Sequence, residues 1–96
     1  MGKLRKAAKG QDCTLQIFPY CNQRPETVVG CHINCEDKGT AFKSPDWWLV
    51  DGCSACHDII DGRKKTDLSP EDIQDCVMRA LYRTIKRRID MGLIKV

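Results

Sequence analysis

The stretch Cys53-Ser54-Ala55-Cys56-His57 decides how this chain is read. Two residues between the cysteines let both sulfurs turn toward one ion, and a helix can begin directly after them. A histidine following such a half-site can leave the structural ion to its neighbour and enter a cleft. A second half-site must then lie elsewhere. Working back along the chain gives Cys13 and Cys21, separated by seven residues, which a strand and a turn at Pro19 would bring together. The four thiolates are read as ligands of a structural zinc. A redox role for Cys53 and Cys56 is the lesser alternative, because no thioredoxin-like strand-and-helix context precedes them.

The remaining cysteines are read separately. Seven cysteines in 96 residues are an odd set, and no apolar leader follows Met1, so thiolates in a reducing cytosol fit better than disulfides. Cys76 falls beside an apolar helical stripe and reads as a small buried hydrophobe. Cys35 is an alternative ligand in place of Cys13 or Cys21. Cys31 precedes His32 on an expected strand, so their side chains should face opposite sides. His32 and His57 are the two histidines of the chain.

Hydrophobic residues at 42% and charged residues at 30% place the chain in the globular range, as one domain over residues 1–96. A domain this short buries proportionally little surface, which makes a metal staple reasonable. No segment reaches the roughly 18 apolar residues of a membrane span, so no membrane partner is expected. The net charge of +3 is spread unevenly. Lys3, Arg5, Lys6 and Lys9 form a basic N-terminal arm over residues 1–11. Arg63, Lys64 and Lys65 follow the second cysteine pair, and Arg79, Arg83, Lys86, Arg87 and Arg88 load the end of the chain. Such blocks suit phosphate, with Arg63, Lys64, Lys65, Arg83 and Arg87 as the expected nucleic-acid contacts.

The element pattern is that of an α+β protein. Short strands are expected over 13–17 and 27–33, and a loop over 34–43. Ser44-Pro45-Asp46 reads as a helix start, with a single turn over 46–50 presenting Trp47 and Trp48 and a tight turn at Asp51-Gly52. A short helix over 54–61 stops at Gly62. The last element is the strongest: Ser69 caps it, Pro70 opens it, and Glu71 and Asp72 sit where the helix dipole favours acids. Ile73, Val77, Ala80, Leu81, Thr84, Ile85 and Ile89 then form one packing stripe in a helix over 70–91.

Leu4-Arg5-Lys6-Ala7-Ala8, Cys13, Cys21-Asn22, Pro25-Glu26-Thr27, His32-Ile33, Pro45-Asp46, Cys53-Ser54-Ala55-Cys56-His57-Asp58 and Ile60-Asp61 together carry a resemblance. The chain resembles the HNH, ββα-metal or His-Me finger endonucleases in their zinc-bearing form, and within them the YbcO-like family of small phage and prophage nucleases. That resemblance implies a zinc-stabilised ββα-metal domain with a β-hairpin, short helices and a long C-terminal helix. It implies a metal-dependent DNA endonuclease in phage or prophage DNA processing, working in the bacterial host cytoplasm on DNA and beside other phage DNA-processing proteins. His32 matches the general base, and His57 a ligand of a catalytic Mg2+, Mn2+, Ni2+ or Zn2+. Asp46, Asp58 and Asp61 are left metal-binding or supporting roles. The chemistry agrees, since phosphodiester hydrolysis needs a base for water and a cation for developing charge. Two positions depart from the HNH pattern: Cys31 stands where a histidine or acid is usual before the base, and Trp48 where the middle asparagine is expected. They keep open the alternative of a non-catalytic zinc module that binds nucleic acid or protein.

Removing the metal should unfold the domain, because one ion joining two distant cysteine pairs converts thiolate binding into folding free energy. Metal analysis and circular dichroism after chelation should show one tightly bound zinc lost together with structure. Full structure in its stringent absence would reject the assignment.

Overall fold

The computed structural model describes residues 3–33 and 47–95. The loop expected at 34–43, the helix start at Ser44-Pro45-Asp46, and Cys35 lie outside them. Helix α1 spans Lys3–Lys6, strand β1 Val29–His32, strand β2 Leu49–Gly52, helix α2 Ser54–Ile60 and helix α3 Pro70–Asp90, with a 3-10 turn at Pro25–Thr27 before β1. β1 and β2 pair antiparallel in the register Val29 with Gly52, Gly30 with Asp51, Cys31 with Val50 and His32 with Leu49. α3 packs on β2 and α1 on β1. The result is a small α+β domain.

Local chemistry explains the helix limits. Cys53 caps α2, its sulfur accepting the Cys56 amide at 3.4 Å. Gly62, at φ +80°, ends the helix in the left-handed conformation that glycine adopts without steric cost. Ser69 Oγ accepts the Asp72 amide at 3.1 Å, with Pro70 in the first turn of α3.

Three expected elements need correction. Residues 13–17 form no strand: Gln16 sits at φ 47°, which breaks the extended path. Thr14, Leu15 and Ile17 are instead buried irregular chain, and Thr14 donates its amide (2.7 Å) and its hydroxyl (2.8 Å) to the Asp51 carbonyl. The helical turn and tight turn expected between 46 and 52 are replaced by a short turn at Trp47-Trp48 and by β2. β1 itself is shorter than expected, because Thr27 belongs to the 3-10 turn.

β2 is buried at all four positions. Gly52 permits this, since a Cβ there would lie 2.7 Å from Leu15 Cδ1 and 2.9 Å from Cys31 Sγ. Asp51 is fully buried, and α3 supplies its counter-charges. Arg88, itself 1% exposed, grips both carboxylate oxygens, donating through Nη1 to Oδ2 at 3.0 Å and through Nη2 to Oδ1. Arg87 Nη1 donates to Oδ2 at 2.7 Å and to the Asp12 carbonyl at 3.0 Å. Thr84 Oγ1 accepts the Asp51 amide at 3.2 Å and lies 3.0 Å from Thr14 Oγ1. Among the described residues no buried side-chain polar atom lacks a partner. The buried stripe of α3 is therefore Val77, Ala80, Leu81, Thr84 and Arg88, with Ile73, Ile85 and Ile89 half-buried at its margins.

The same contacts correct the expectation that Arg83 and Arg87 stand free for phosphate. Arg83 Nη1 donates to the Thr14 carbonyl at 3.0 Å, and Arg87 is held by Asp51 and Asp12. Their charges tie α3 to the chain beneath it, and reversing them would attack the fold.

Asp51→Ala should lower stability by about 3–5 kcal/mol, the usual cost of leaving a buried charge without its partner. Urea denaturation of metal-loaded protein should show the loss, and an unchanged midpoint would mean that the ion pair holds nothing.

Candidate metal centre and adjoining cleft

The sulfurs of Cys13, Cys21, Cys53 and Cys56 all lie within 4.8 Å of one another, and all four residues are buried. A turn achieves the wider half-site: the Tyr20 and Cys21 amides donate back to the Ile17 carbonyl at 2.9 and 2.8 Å, which returns Cys21 toward Cys13. A tetrahedron built on metal–thiolate bonds of about 2.3 Å has edges of about 3.8 Å. Cys21 Sγ and Cys53 Sγ stand 3.8 Å apart. Backbone amides also point at the sulfurs, Ile17 N–H at Cys56 Sγ (3.5 Å) and Cys56 N–H at Cys53 Sγ (3.4 Å). The donor set fits a metal ion that prefers sulfur.

The Cys56 thiol donates to Cys13, which lowers the Cys13 pKa to about 5 and raises that of Cys56. Burial raises Cys21 to about 11. Metal uptake must displace the protons that Cys21 and Cys56 retain, so binding strengthens as pH rises. Cys31 stands outside the cluster, fully buried, its thiol pushed up to about 12 by desolvation. No described cysteine is in a disulfide, and Cys76 is half-buried against the core.

One turn beyond the sulfurs, α2 changes character. His57 Nε2 and Asp61 Oδ2 are 3.0 Å apart across one helical turn. Arg63 Nη2 lies 3.0 Å from the same Asp61 oxygen and 3.1 Å from Asp58 Oδ1. Asp61 also lines a cleft of about 410 Å³ together with His32, Gly62, Leu68 and Val77. His32 is half-buried at the end of β1 while Cys31 is fully buried, as alternation on a strand requires. His32 and Asp61 thus share the cleft, and Asp61 is linked in turn to His57 and to Arg63, which also holds Asp58; His57, Asp58 and Arg63 are not among the residues that line it. Asp46 lies outside the described residues.

Lys64 and Lys65 continue from this cluster as exposed residues. Lys64 Nζ stands 5.6 Å from the centre of the Tyr20 ring, and the Tyr20 hydroxyl donates to Asp67 Oδ1 at 2.6 Å. That bond to a carboxylate raises the Tyr20 pKa. Sequence reasoning missed both the Tyr20 contacts and the Arg63 clamp on two acids. The partners of Tyr20 lie more than forty positions away and leave no periodic mark, whereas the Asp58, Asp61 and Arg63 spacing was visible as acids followed by a base at a helix end.

A family model described as "Putative nuclease YbcO" matches residues 2–93. Proteins of that description from Escherichia coli (strain K12) and from Enterobacteria phage 82 are each 38% identical over 96 residues, covering 99% of this chain and 99% of their own length. A solved structure from Escherichia coli K-12, described as a "putative bacteriophage protein", matches with a TM-score of 0.79 at 36% identity, covering 94% of this chain and all of that one. With sequence and fold agreeing over nearly its whole length, the chain belongs to the YbcO family.

Proposed function

We propose that this chain is a metal-dependent nuclease that hydrolyses DNA phosphodiester bonds, built as a ββα-metal domain of the HNH type. The observation that carries the reading is that His32 and Asp61 line one cleft, with His57 paired to Asp61 and no cysteine of the sulfur cluster in the lining. Zinc is the structural ion that best suits four buried thiolates, since it favours closed tetrahedral sulfur sites and has no redox chemistry of its own. Two functions are thereby separated on adjacent residues: Cys56 serves the fold and His57 the chemistry.

In this reading His32 takes a proton from the attacking water, a role an imidazole can fill near neutral pH. His57 and Asp61, whose donor atoms are 3.0 Å apart, would hold a divalent cation, with Asp58 in support. Bound there, Mg2+, Mn2+, Ni2+ or Zn2+ would stabilise charge on the phosphate and the leaving oxygen. Arg63 places a guanidinium beside the same carboxylates, and Lys64 and Lys65 extend positive charge away from the cleft to receive the DNA backbone. The origin of the relatives supports action on phage or prophage DNA in the cytoplasm of a bacterial host, alongside other DNA-processing proteins. Among the described residues no helix is long and apolar enough to cross a membrane.

One observation favours a second reading, a zinc-containing module that binds nucleic acid or protein without cutting. Arg63 already neutralises Asp58 and Asp61, the acids a catalytic cation would need.

His32→Ala should lower the rate of plasmid nicking by about 10² to 10⁴, the usual worth of a general base, with one zinc per chain and the circular dichroism unchanged. His57→Ala should also weaken activation in Mg2+ and Mn2+ titrations. Undiminished nicking in both variants would locate the chemistry elsewhere, and no nicking by the parent with any metal would favour the binding module. The paired substitution Lys64→Glu with Lys65→Glu should weaken duplex binding and reduce the slope of log affinity against log salt by about two. Identical slopes would remove these lysines from the DNA path.

A further inference from the structure

Tyr20 immediately precedes the ligand Cys21 and lies on the turn that closes the wider half-site, where its amide and that of Cys21 share the Ile17 carbonyl. Its side chain reaches away from the sulfurs and makes two contacts with one segment. The hydroxyl donates to Asp67 at 2.6 Å, and the ring lies under the Lys64 ammonium at 5.6 Å, inside the range of a cation–π contact. The backbone of the segment between Lys64 and Asp67 is held at its start, where the Lys64 amide donates to the Asp58 carbonyl at 3.1 Å, and just past its end, where Leu68 packs against the core. Among the described residues the Lys64 side chain has no other contact of this kind. The segment's residues are mostly exposed, and it links α2 to α3 with no regular structure. Two tethers at its ends, both from one side chain, restrict where Lys64 can point.

From this geometry we infer that Tyr20 is a positioning residue through which the metal centre sets the nucleic-acid affinity of the basic segment. The inference rests on the reading of Lys64 as a phosphate contact. A filled centre fixes Cys21, and with it the turn that carries Tyr20; Tyr20 then holds Lys64 by its ring and the far end of the segment by its hydroxyl. The ammonium keeps its N–H donors while its charge rests on the ring face, so a phosphate meets a cation already confined in space. Confinement removes part of the ordering cost of binding. Asp67 is the second anchor, because its bond to the hydroxyl fixes the far end of the Tyr20 ring on which Lys64 rests.

The test compares zinc-loaded Tyr20→Leu, Tyr20→Phe and Lys64→Ala with the parent by fluorescence anisotropy on a short duplex over a salt series, without added divalent ion. Lys64→Ala should lower the salt slope by about one. Tyr20→Leu should do the same, and the double variant should lose no more than either single change, the mark of two residues acting through one contact. Tyr20→Phe keeps the ring and loses the hydroxyl, so it should weaken binding a few-fold while retaining the parent slope. Zinc content of one per chain and unchanged circular dichroism in the Tyr20 variants separate positioning from unfolding, and Tyr20→Phe provides the decision should Tyr20→Leu fail to hold zinc. A lowered slope in Lys64→Ala with parental binding in both Tyr20 variants would overturn the positioning role alone. A parental slope in Lys64→Ala would overturn it together with the phosphate reading of Lys64.

Discussion

The strand Leu49–Gly52 has no exposed side, and that constraint organises the molecule. A four-residue strand in a small domain cannot be held by ladder hydrogen bonds alone. Its sequence carries one staple and leads directly into the other. Asp51 draws α3 down through Arg87 and Arg88, and Cys53, two residues on, brings in the metal half-site of Cys13 and Cys21. The backbone of Asp51 is as engaged as its carboxylate, accepting from Thr14 and donating to Thr84. Gly52 is the steric condition for the arrangement, because Leu15 and the Cys31 sulfur occupy the space a side chain would need.

The parts of the fold legible in the sequence are those whose signals are local. α3 announces itself through Ser69, Pro70 and the acids of its first turn, and α2 through the cysteine spacing and Gly62. The grouping of Cys13 and Cys21 with Cys53 and Cys56 was also legible, because sulfur has few reasons to be paired in that way. β2 was not. Asp51-Gly52 is chemically a turn signal, and only two arginines more than thirty-five positions away turn that aspartate into an interior residue. The same blindness affected α3, where helical spacing placed Arg83 and Arg87 on a polar side. Long cationic side chains can lie along apolar surface and reach partners beneath it, which periodicity does not record. At 13–17 the apolar residues are buried as expected, yet Gln16 bends the chain out of any strand.

For the candidate site, the types of residue were legible and their couplings were not. His32 and His57 stand out as the two histidines of the chain, one at the end of a strand and one after a cysteine pair. That Asp61 belongs to the cleft and to the His57 pair at once depends on α2 continuing through one more turn. Arg63 is the clearest revision in meaning. Reading along the chain makes it one of three cations awaiting phosphate, whereas its guanidinium bridges two carboxylates. Positive charge near the cleft therefore divides into a part spent on organising acids and a part, at Lys64 and Lys65, turned outward.

The position of the two staples along the chain has a consequence for synthesis. All four sulfurs precede residue 57, whereas both arginines that neutralise Asp51 follow residue 86. A chain growing from its N-terminus holds every ligand of the metal centre while its interior carboxylate still lacks a counter-ion. During that interval hydration is the cheapest state for Asp51, so β2 stays open to water on the side that α3 will cover. The metal half holds all its ligands without the last helix, whereas sealing of the strand waits until that helix has docked.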